Sequence, residues 1–230
     1  MKEIVVALEG NPNTGKSTVF NNLTGARQKV GNWPGKTVEK KEGICNYGDY
    51  RIKFVDLPGT YSLSAYTIEE VIARNFIIEE KPDVVVDIVD ATNLERNLYL
   101  AIQTIELGAK IVIALNLMDQ AKKSGYKIDV KELSQQLGCP VVPTVATKKE
   151  GMEKLLETIA NVASGKIRMN YRNIDYGRDV ESKISELEIL IEKHNSGLKQ
   201  KYSIRWLAVA LLEEDPDVLK TVFGIGGEEE

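Results

Sequence analysis

Residues 10–17 read Gly10-Asn11-Pro12-Asn13-Thr14-Gly15-Lys16-Ser17 and match the phosphate-binding pattern GxxxxGK(S/T). A strand pattern at residues 4–8 precedes this loop, and a helical pattern at residues 17–23 follows it. The backbone N–H groups of such a loop face phosphate oxygens, and the helix N-terminus adds a favourable dipole. We therefore expect the loop and Thr18 to bind a nucleoside triphosphate, with Lys16 at the β- and γ-phosphates and the Ser17 hydroxyl on Mg²⁺.

The chain around this loop alternates between strand and helix patterns. Strands are predicted at residues 4–8, 37–45, 50–56, 84–89, 110–116 and 141–145, and helices at residues 17–23, 68–80, 94–107, 130–137 and 151–163. Such alternation is typical of an α/β fold, in which helices cover both faces of a mainly parallel sheet. A hairpin turn at residues 46–49 adds one antiparallel strand.

The pattern changes after residue 165. Residues 175–194 carry apolar side chains at helical spacing, and residues 204–212 and 216–222 also read as helices. We predict a nucleotide-binding domain over residues 1–165, a small helical domain over residues 170–223 and a flexible tail over residues 224–230.

The sequence Asp56-Leu57-Pro58-Gly59 ends one of the predicted strands. A carboxylate at this position holds the Mg²⁺ shell through a water, and the Gly59 N–H senses the γ-phosphate. The DxPG pattern is weak alone, but it lies at the expected distance after the phosphate-binding loop. We therefore expect Asp56 and Gly59 to belong to the nucleotide site.

Asn116-Leu117-Met118-Asp119 closes a later strand and matches the NxxD pattern. The aspartate of this pattern accepts two hydrogen bonds from the guanine edge, which adenine does not offer, and a site built for those donors rejects the analogue that lacks them. Many GTPases have lysine where this chain has Leu117. After the next strand, residues 145–147 are expected to bring a backbone N–H to the guanine O6; these are Val145, Ala146 and Thr147, with Ala146 as the donor.

Residues 31–37 hold two glycines and a proline around an aromatic residue, which predicts a mobile switch loop. We expect the Thr37 hydroxyl, close to Gly35, to bind Mg²⁺ only when γ-phosphate is present. The alternative for Thr37 is the start of a strand. Trp33 is either part of the mobile loop or an anchor in the core.

The residue after Gly59 is Thr60, where Ras-like enzymes place the glutamine that orients the attacking water. Neither Tyr61 nor Ser62 is an obvious substitute. The motifs in this order still predict a Ras-like P-loop GTPase domain. Its intrinsic hydrolysis is expected to be slow, unless another group supplies the missing positive charge.

Composition excludes several other classes of protein. The net charge of −4 gives no basic footprint for nucleic acid. Cys45 and Cys139 lie in no metal-binding pattern and are expected to be buried free thiols, although a disulfide between them stays open. His194, the one histidine, is expected at the surface near a helix end. The start lacks the pattern of a signal peptide, and no apolar run reaches the length of a membrane span, so we expect a soluble chain, as a whole or as part of a longer protein.

Three segments extend the motifs: GNWPGKTVEKKEG at residues 31–43, DLPGTYSLSAYTIEE at residues 56–70, and residues 89–97. With them, the chain resembles the cytosolic N-terminal part of the FeoB ferrous iron transporter family. The resemblance implies that a helical domain linked to nucleotide affinity follows the GTPase domain. It also implies a membrane part in the full-length protein, with this region at the cytoplasmic face.

The resemblance further implies that K⁺ activates the enzyme, with Asn13 and backbone carbonyls around Gly31 and Trp33 as ligands. A cation there spreads the transition-state charge as an arginine finger does. The alternative for Asn13 is an asparagine that only shapes the loop.

Together these features predict a protein that binds GTP and GDP and hydrolyses GTP to regulate or gate ferrous iron uptake. Lys16, Asn13, Thr37 and Gly59 are the expected catalytic residues, the partner is the attached transmembrane part, and a homo-oligomer is possible. One alternative is a soluble GTPase of the ribosome-assembly or tRNA type, which the acidic composition disfavours. Another is a binding module with slow turnover, which Thr60 favours.

Overall fold

The computed structural model describes residues 1–25, 27–171 and 174–224. Across these residues the strands form a seven-stranded sheet in the order β2-β3-β4-β1-β5-β6-β7. Of these strands only β3 runs against the others, which confirms the mainly parallel sheet with one antiparallel strand. The strands are β1 Lys2–Glu9, β2 Gln28–Asn32, β3 Glu39–Tyr47, β4 Tyr50–Asp56, β5 Val84–Asp90, β6 Ile111–Asn116 and β7 Val141–Pro143.

Helices cover both faces of the sheet. One face packs against α1 and α6, and the other packs against α2, α3 and α5. Because the central strands are covered on both sides, they read as nearly continuous apolar runs. The helices are α1 Lys16–Thr24, α2 Ile68–Asn75, α3 Leu94–Glu106, α4 Met118–Lys123, α5 Val130–Leu137, α6 Met152–Ala163, α7 Arg178–His194, α8 Ile204–Leu212 and α9 Pro216–Phe223.

Local signals in the sequence explain several of these boundaries. Thr67 and Glu70 form a capping box at the start of α2, in which each side chain accepts from the other residue's backbone N–H. Gly48, with φ of 54°, occupies the short turn between β3 and β4. Asp215 caps α9 by accepting from two backbone N–H groups, and Pro216 follows at the first helical position.

Strand β2 was not expected from the sequence. Gln28–Asn32 pairs antiparallel with β3 at the edge of the sheet, and four of its five residues are exposed. An exposed edge strand carries no alternation of apolar and polar side chains, so hydrophobic patterning cannot detect it. The predicted mobile loop over residues 31–37 is therefore partly wrong, because Gly31 and Asn32 belong to β2.

The helix predicted over residues 68–80 is two elements. Helix α2 ends at Asn75, and a π-helical turn, Phe76–Glu80, continues it to Lys81, whose φ is 45°. Helix α4 was also not expected. The strand predicted at residues 37–45 lies later, at Glu39–Tyr47, and the one predicted at residues 141–145 ends earlier, at Pro143.

Helices α7, α8 and α9 bury a cluster of their own around Ile184, Ile191, Trp206 and Leu207. Ile78 of the π-helical turn belongs to the same cluster, so the helical segment packs against the end of α2. The domain boundaries stay predictions from sequence, and residues 225–230 of the expected tail lie outside the described residues. Within the described ranges no helix has the length and apolar character needed to cross a membrane.

Both cysteines are free thiols; Cys139 is buried, whereas Cys45 is only half-buried, so the expected burial is wrong for Cys45. Burial raises the pKa of the Cys139 thiol to about 12, which keeps it protonated. His194 is exposed at the last residue of α7, as predicted.

Candidate nucleotide-binding site

A cavity of about 380 Å³ lies where β1 ends and α1 begins. It brings together eight of the predicted site residues: Asn11, Pro12, Asn13, Gly15, Lys16, Ser17, Thr18 and Gly59. Gly10 precedes them with φ of 153°, and a Cβ there would lie 2.7 Å from the Ile88 backbone oxygen. The sequence can therefore form this loop only with glycine at position 10.

Lys16 links the loop to the end of β4. Its ammonium group pairs with the Asp56 carboxylate and donates to the Leu57 backbone oxygen at 2.6 Å. Both charged side chains are largely buried. Since a phosphate anion would compete for the same ammonium group, Lys16 has to exchange these partners when a triphosphate binds.

The predicted Mg²⁺ ligands are only partly assembled. Ser17 lines the cavity and Asp56 is held at its side by Lys16. A hydroxyl and a carboxylate are the oxygen donors that Mg²⁺ prefers, so these two residues fit the ion. Thr37 and Gly35 are exposed and are not among the residues that line the cavity. The structure therefore does not bring Thr37 to the predicted site.

The switch loop is anchored by its aromatic residue. Trp33 is buried, and its ring meets the Phe76 ring edge-on with 5.6 Å between centroids. The Lys40 ammonium lies 4.7 Å from the centre of the Trp33 ring. The alternative that Trp33 is a core anchor is confirmed, and Thr37 lies in the exposed segment between this anchor and β3.

Asn13 has φ of 69°, in the left-handed region that asparagine tolerates better than most residues. Its side chain is at the exposed rim of the cavity. The backbone conformation alone explains an asparagine at this position. The side-chain amide also offers an oxygen ligand to a cation, so both interpretations of Asn13 remain.

Asn116 joins the phosphate loop to the predicted guanine site. Its Nδ2 donates to the Thr14 backbone oxygen at 2.8 Å. Its Oδ1 accepts from the Thr144 hydroxyl at 3.2 Å and from the Ala146 N–H at 3.0 Å. A Cβ on Gly15 would lie 2.5 Å from this Nδ2, so the close approach requires glycine. One buried amide thus fixes the distance between the two halves of the site.

Asp119 follows in the first turn of α4, after Leu117, whose φ of 61° turns the chain. The Met118 N–H donates to the Thr144 backbone oxygen at 3.4 Å, which ties the NxxD segment to the loop over residues 145–147. Lys148 approaches the Asp119 carboxylate at 3.2 Å, and its hydrogen bond lowers the pKa of that carboxyl group. Asp119 is therefore held as an anion, the form that accepts two hydrogen bonds from guanine.

Sequence reasoning missed Lys148, and it left Ala146 with one function too few. The Ala146 N–H, predicted to meet the guanine O6, already donates to Asn116. A contact with O6 therefore requires this N–H to be shared or released. Lys148 directly follows the predicted guanine loop, and that position was the only signal of its pairing with Asp119.

Two buried acids behind the loop were also missed. Glu9 and Asp87 are register partners on β1 and β5, and both are almost fully buried. The Thr104 hydroxyl donates to Glu9 at 2.6 Å. Burial raises the pKa of both carboxyl groups, and the charge of Asp87 raises that of Glu9 further. The pair is therefore at least partly protonated at neutral pH.

Comparisons with known proteins agree with this geometry. A family model described as ferrous iron transport protein B matches residues 4–159, and one described as the FeoB cytosolic helical domain matches residues 176–228. The chain belongs to the FeoB family. The FeoA/FeoB fusion protein of Porphyromonas gingivalis, named as an Fe(2+) transport protein A/Fe(2+) transporter FeoB fusion protein, is 45% identical over 223 residues. The match covers 95% of this chain and 26% of that protein, so the chain spans about a quarter of its FeoB-family relative.

Solved structures of FeoB cytosolic domains have the same fold. The T. maritima FeoB cytosolic domain in apo form matches with a TM-score of 0.89 and 41% identity, covering 99% of this chain and 88% of that one. Its GMPPNP form matches with a TM-score of 0.87 and 39% identity at the same coverage. These findings confirm the resemblance to the FeoB cytosolic region and the GTPase fold followed by a helical domain.

Proposed function

We propose that the chain is a GTP-binding and GTP-hydrolysing switch that regulates ferrous iron uptake through the membrane part of a longer FeoB protein. One observation carries the proposal: Asn116 holds the phosphate loop and the guanine loop together. Asp119 lies in the same segment as the candidate guanine acceptor. A single nucleotide that reaches from Lys16 to Asp119 satisfies both halves of the site.

The chain's own residues account for triphosphate binding. Lys16 leaves Asp56 and contacts the β- and γ-phosphates, and the loop N–H groups and the N-terminus of α1 add electrostatic attraction. Ser17 and Asp56 would hold Mg²⁺, which neutralises phosphate charge when bound. Gly59 lies at the cavity and offers its N–H to the γ-phosphate. Thr37 reaches the site only if the exposed segment after Trp33 moves, which makes that segment the part that senses the nucleotide.

Asn13 is proposed to hold a potassium ion beside the phosphates. The amide oxygen is at the rim of the cavity, and Thr60 leaves the chain without the usual glutamine. A cation at this point would stabilise transition-state charge. Potassium-stimulated hydrolysis follows from this placement.

Coupling to the helical segment is proposed to run through Arg74 of α2. Its guanidinium pairs with Asp215 and Asp217 of α9, each at 2.6 Å, and lies 5.9 Å from the ring centre of Trp206 in α8. Because α2 directly follows the γ-phosphate-sensing segment, a shift of α2 is transmitted to α8 and α9. The helical segment would then tune nucleotide release and relay the bound state towards the membrane part, at the cytoplasmic face.

The test is single-turnover hydrolysis of GTP and of ATP with Mg²⁺, in KCl and in NaCl at equal ionic strength. We expect hydrolysis of GTP only, and at least about tenfold faster hydrolysis in KCl. Hydrolysis of ATP at a comparable rate would overturn the assignment of Asp119 to guanine. Equal slow rates in the two salts would contradict the potassium site and favour the slow-turnover binding module.

Two variants of Asn13 separate its possible roles. Asn13→Gly removes the amide but keeps the left-handed backbone that glycine adopts freely, whereas Asn13→Ala removes the amide and strains the loop. If the amide holds potassium, both variants lose the gain in KCl. If Asn13 only shapes the loop, Asn13→Gly keeps the gain and Asn13→Ala loses activity in both salts.

A further inference from the structure

The side chain of Asn11 is buried at the phosphate cavity with nothing to bind. Asn11 is 3% exposed, and neither its Nδ2 nor its Oδ1 has a hydrogen-bond partner among the described residues. Only its backbone carbonyl is used, because the Thr14 hydroxyl and N–H donate to it at 3.0 and 3.4 Å. An asparagine amide offers two donors and an acceptor, so this side chain leaves its full capacity unused.

Thr60 is in the same condition. It is 4% exposed, and its hydroxyl has no partner in the part of the chain that the structure describes. It follows Gly59, which lies against the phosphate loop: a Cβ on Gly59 would be 3.7 Å from the Gly10 oxygen and from Pro12. The two unpartnered side chains therefore flank the point where Gly59 meets the loop.

A buried polar group without a partner costs about 1–3 kcal/mol. Such groups in a native structure call for a specific explanation, and active sites are one place where they occur. A ligand that fits both residues must be small, donate and accept hydrogen bonds, and lie beside the γ-phosphate. Water has these properties, since a buried water makes about three hydrogen bonds.

We propose that the Asn11 amide and the Thr60 hydroxyl bind the water that attacks the γ-phosphate, in place of the absent glutamine. The inference rests on the proposed GTP hydrolysis. In that reaction the water oxygen bonds to the γ-phosphorus, and the bond from this phosphorus to the β,γ-bridging oxygen breaks. GDP leaves with the electron pair, and the proton from water passes to the departing inorganic phosphate. Asn11 and Thr60 orient the water and undergo no covalent change.

The alternative is that both groups are simply unsatisfied in the native state. Removing an unpaired buried polar group then increases the free energy of unfolding and leaves hydrolysis unchanged. The two explanations thus predict opposite results for the same variants, which makes the proposal testable without a further structure.

The experiment compares Asn11→Ala, Thr60→Val and Thr60→Ser with the wild-type chain. Single-turnover GTP hydrolysis is measured in KCl and NaCl, and GMPPNP affinity and urea unfolding are measured on the same samples. We expect Asn11→Ala and Thr60→Val to slow hydrolysis at least tenfold in both salts, with GMPPNP affinity changed less than about threefold. Thr60→Ser keeps a hydroxyl and recovers most of the rate. Thr221→Val, at an exposed site on α9, is the matched control for a change of threonine to valine.

Each outcome decides a separate point. Wild-type rates in Asn11→Ala and Thr60→Val, together with increased stability, would overturn the proposal while leaving GTP hydrolysis in place. A wild-type chain that hydrolyses no GTP would overturn both. The ratio of rates in KCl and NaCl should survive in these variants, unlike in Asn13→Gly, which separates the water site from the potassium site. If Asn11→Ala does not fold, the contrast between Thr60→Val and Thr60→Ser decides the question alone.

Discussion

Asn116 shows how much one side chain determines in this fold. Its amide contacts the phosphate loop through Thr14 and the guanine loop through Thr144 and Ala146. The residue therefore positions both loops, and the choice of base depends on Asp119 alone. Glycine at position 15 is what lets the two loops come so close, because any Cβ would collide with the amide.

The buried acids Glu9 and Asp87 give a prediction for stability. Burial raises the pKa of both carboxyl groups in the folded chain, whereas in the unfolded chain they titrate near pH 4. Above that pH the folded state binds more protons than the unfolded state, so the free energy of unfolding falls as the pH rises. Asp87→Asn removes one of these groups and should raise the free energy of unfolding at pH 8 by at least about 1 kcal/mol. The gain should shrink as the pH approaches 4.

Urea unfolding of the wild type and Asp87→Asn at pH 5, 6.5 and 8 measures this difference. Asp49→Asn, at the exposed turn between β3 and β4, is the matched control and should change the pH profile little. A lower stability of Asp87→Asn at pH 8 would mean that the native state stabilises the Asp87 anion, contrary to the effect of burial.

Among the elements, α2 with its π-helical turn contacts the most different parts of the molecule. Phe76 packs against Trp33 of the switch loop, and Ile78 enters the core of the helical segment. Arg74 faces α9 between them. A π-helical turn shifts the direction of the following side chains relative to an α-helix, and such turns occur often at functional sites. This element is thus placed to link the switch loop to the helical segment.

Arg74 gives the prediction at this scale. It is nearly fully buried, its partner Asp215 is equally buried, and Asp217 is half exposed. Arg74→Met leaves the Asp215 charge buried without its partner, so we expect a loss of about 3 kcal/mol in the free energy of unfolding. Asp217→Asn removes the exposed partner and should cost no more than about 1 kcal/mol.

Urea unfolding measures both losses, and release of a fluorescent GDP analogue measures the coupling. Arg74→Met should change the release rate more than Asp217→Asn does. A release rate that stays at the wild-type value in folded Arg74→Met would contradict transmission through α2.

What the sequence predicts, and what it does not, follows the range of the interactions. The phosphate loop, the strand before it and the hairpin at Gly48 depend on neighbouring residues, so local patterns predict them. Strand β2 forms because β3 offers a free edge, and its own side chains carry no signal. The burial of Trp33 depends on Phe76, and the restraint on Asp119 depends on Lys148, both distant in sequence.

The site residues divide in the same way. The phosphate-binding residues meet as predicted because they are contiguous in the chain. Thr37 does not, because its position depends on how Trp33 packs. The unpartnered side chains of Asn11 and Thr60 are invisible in the sequence, since burial and hydrogen bonding are properties of the fold.

For the whole molecule, the arrangement of the two tryptophans allows a test of the switch. Trp33 reports the loop that must move to bring Thr37 to the phosphate cavity, and Trp206 reports the helical segment next to Arg74. These are the chain's only tryptophans, so Trp206→Phe and Trp33→Phe each leave one reporter. With Mg²⁺, GMPPNP should shift the Trp33 emission to longer wavelength more than GDP does, because movement of the loop exposes the buried ring.

The Trp206 signal separates local motion from transmission. If α2 relays the state of the nucleotide, GMPPNP and GDP give different Trp206 emission in Trp33→Phe, and adding Arg74→Met removes that difference. Identical Trp206 spectra with both nucleotides, beside a clear response of Trp33, would confine the switch to the nucleotide domain. An unchanged Trp33 spectrum would show that the loop stays closed on Phe76, and Thr37 would then have no route to the phosphates. The two reporters thus test the local switch and its transmission independently.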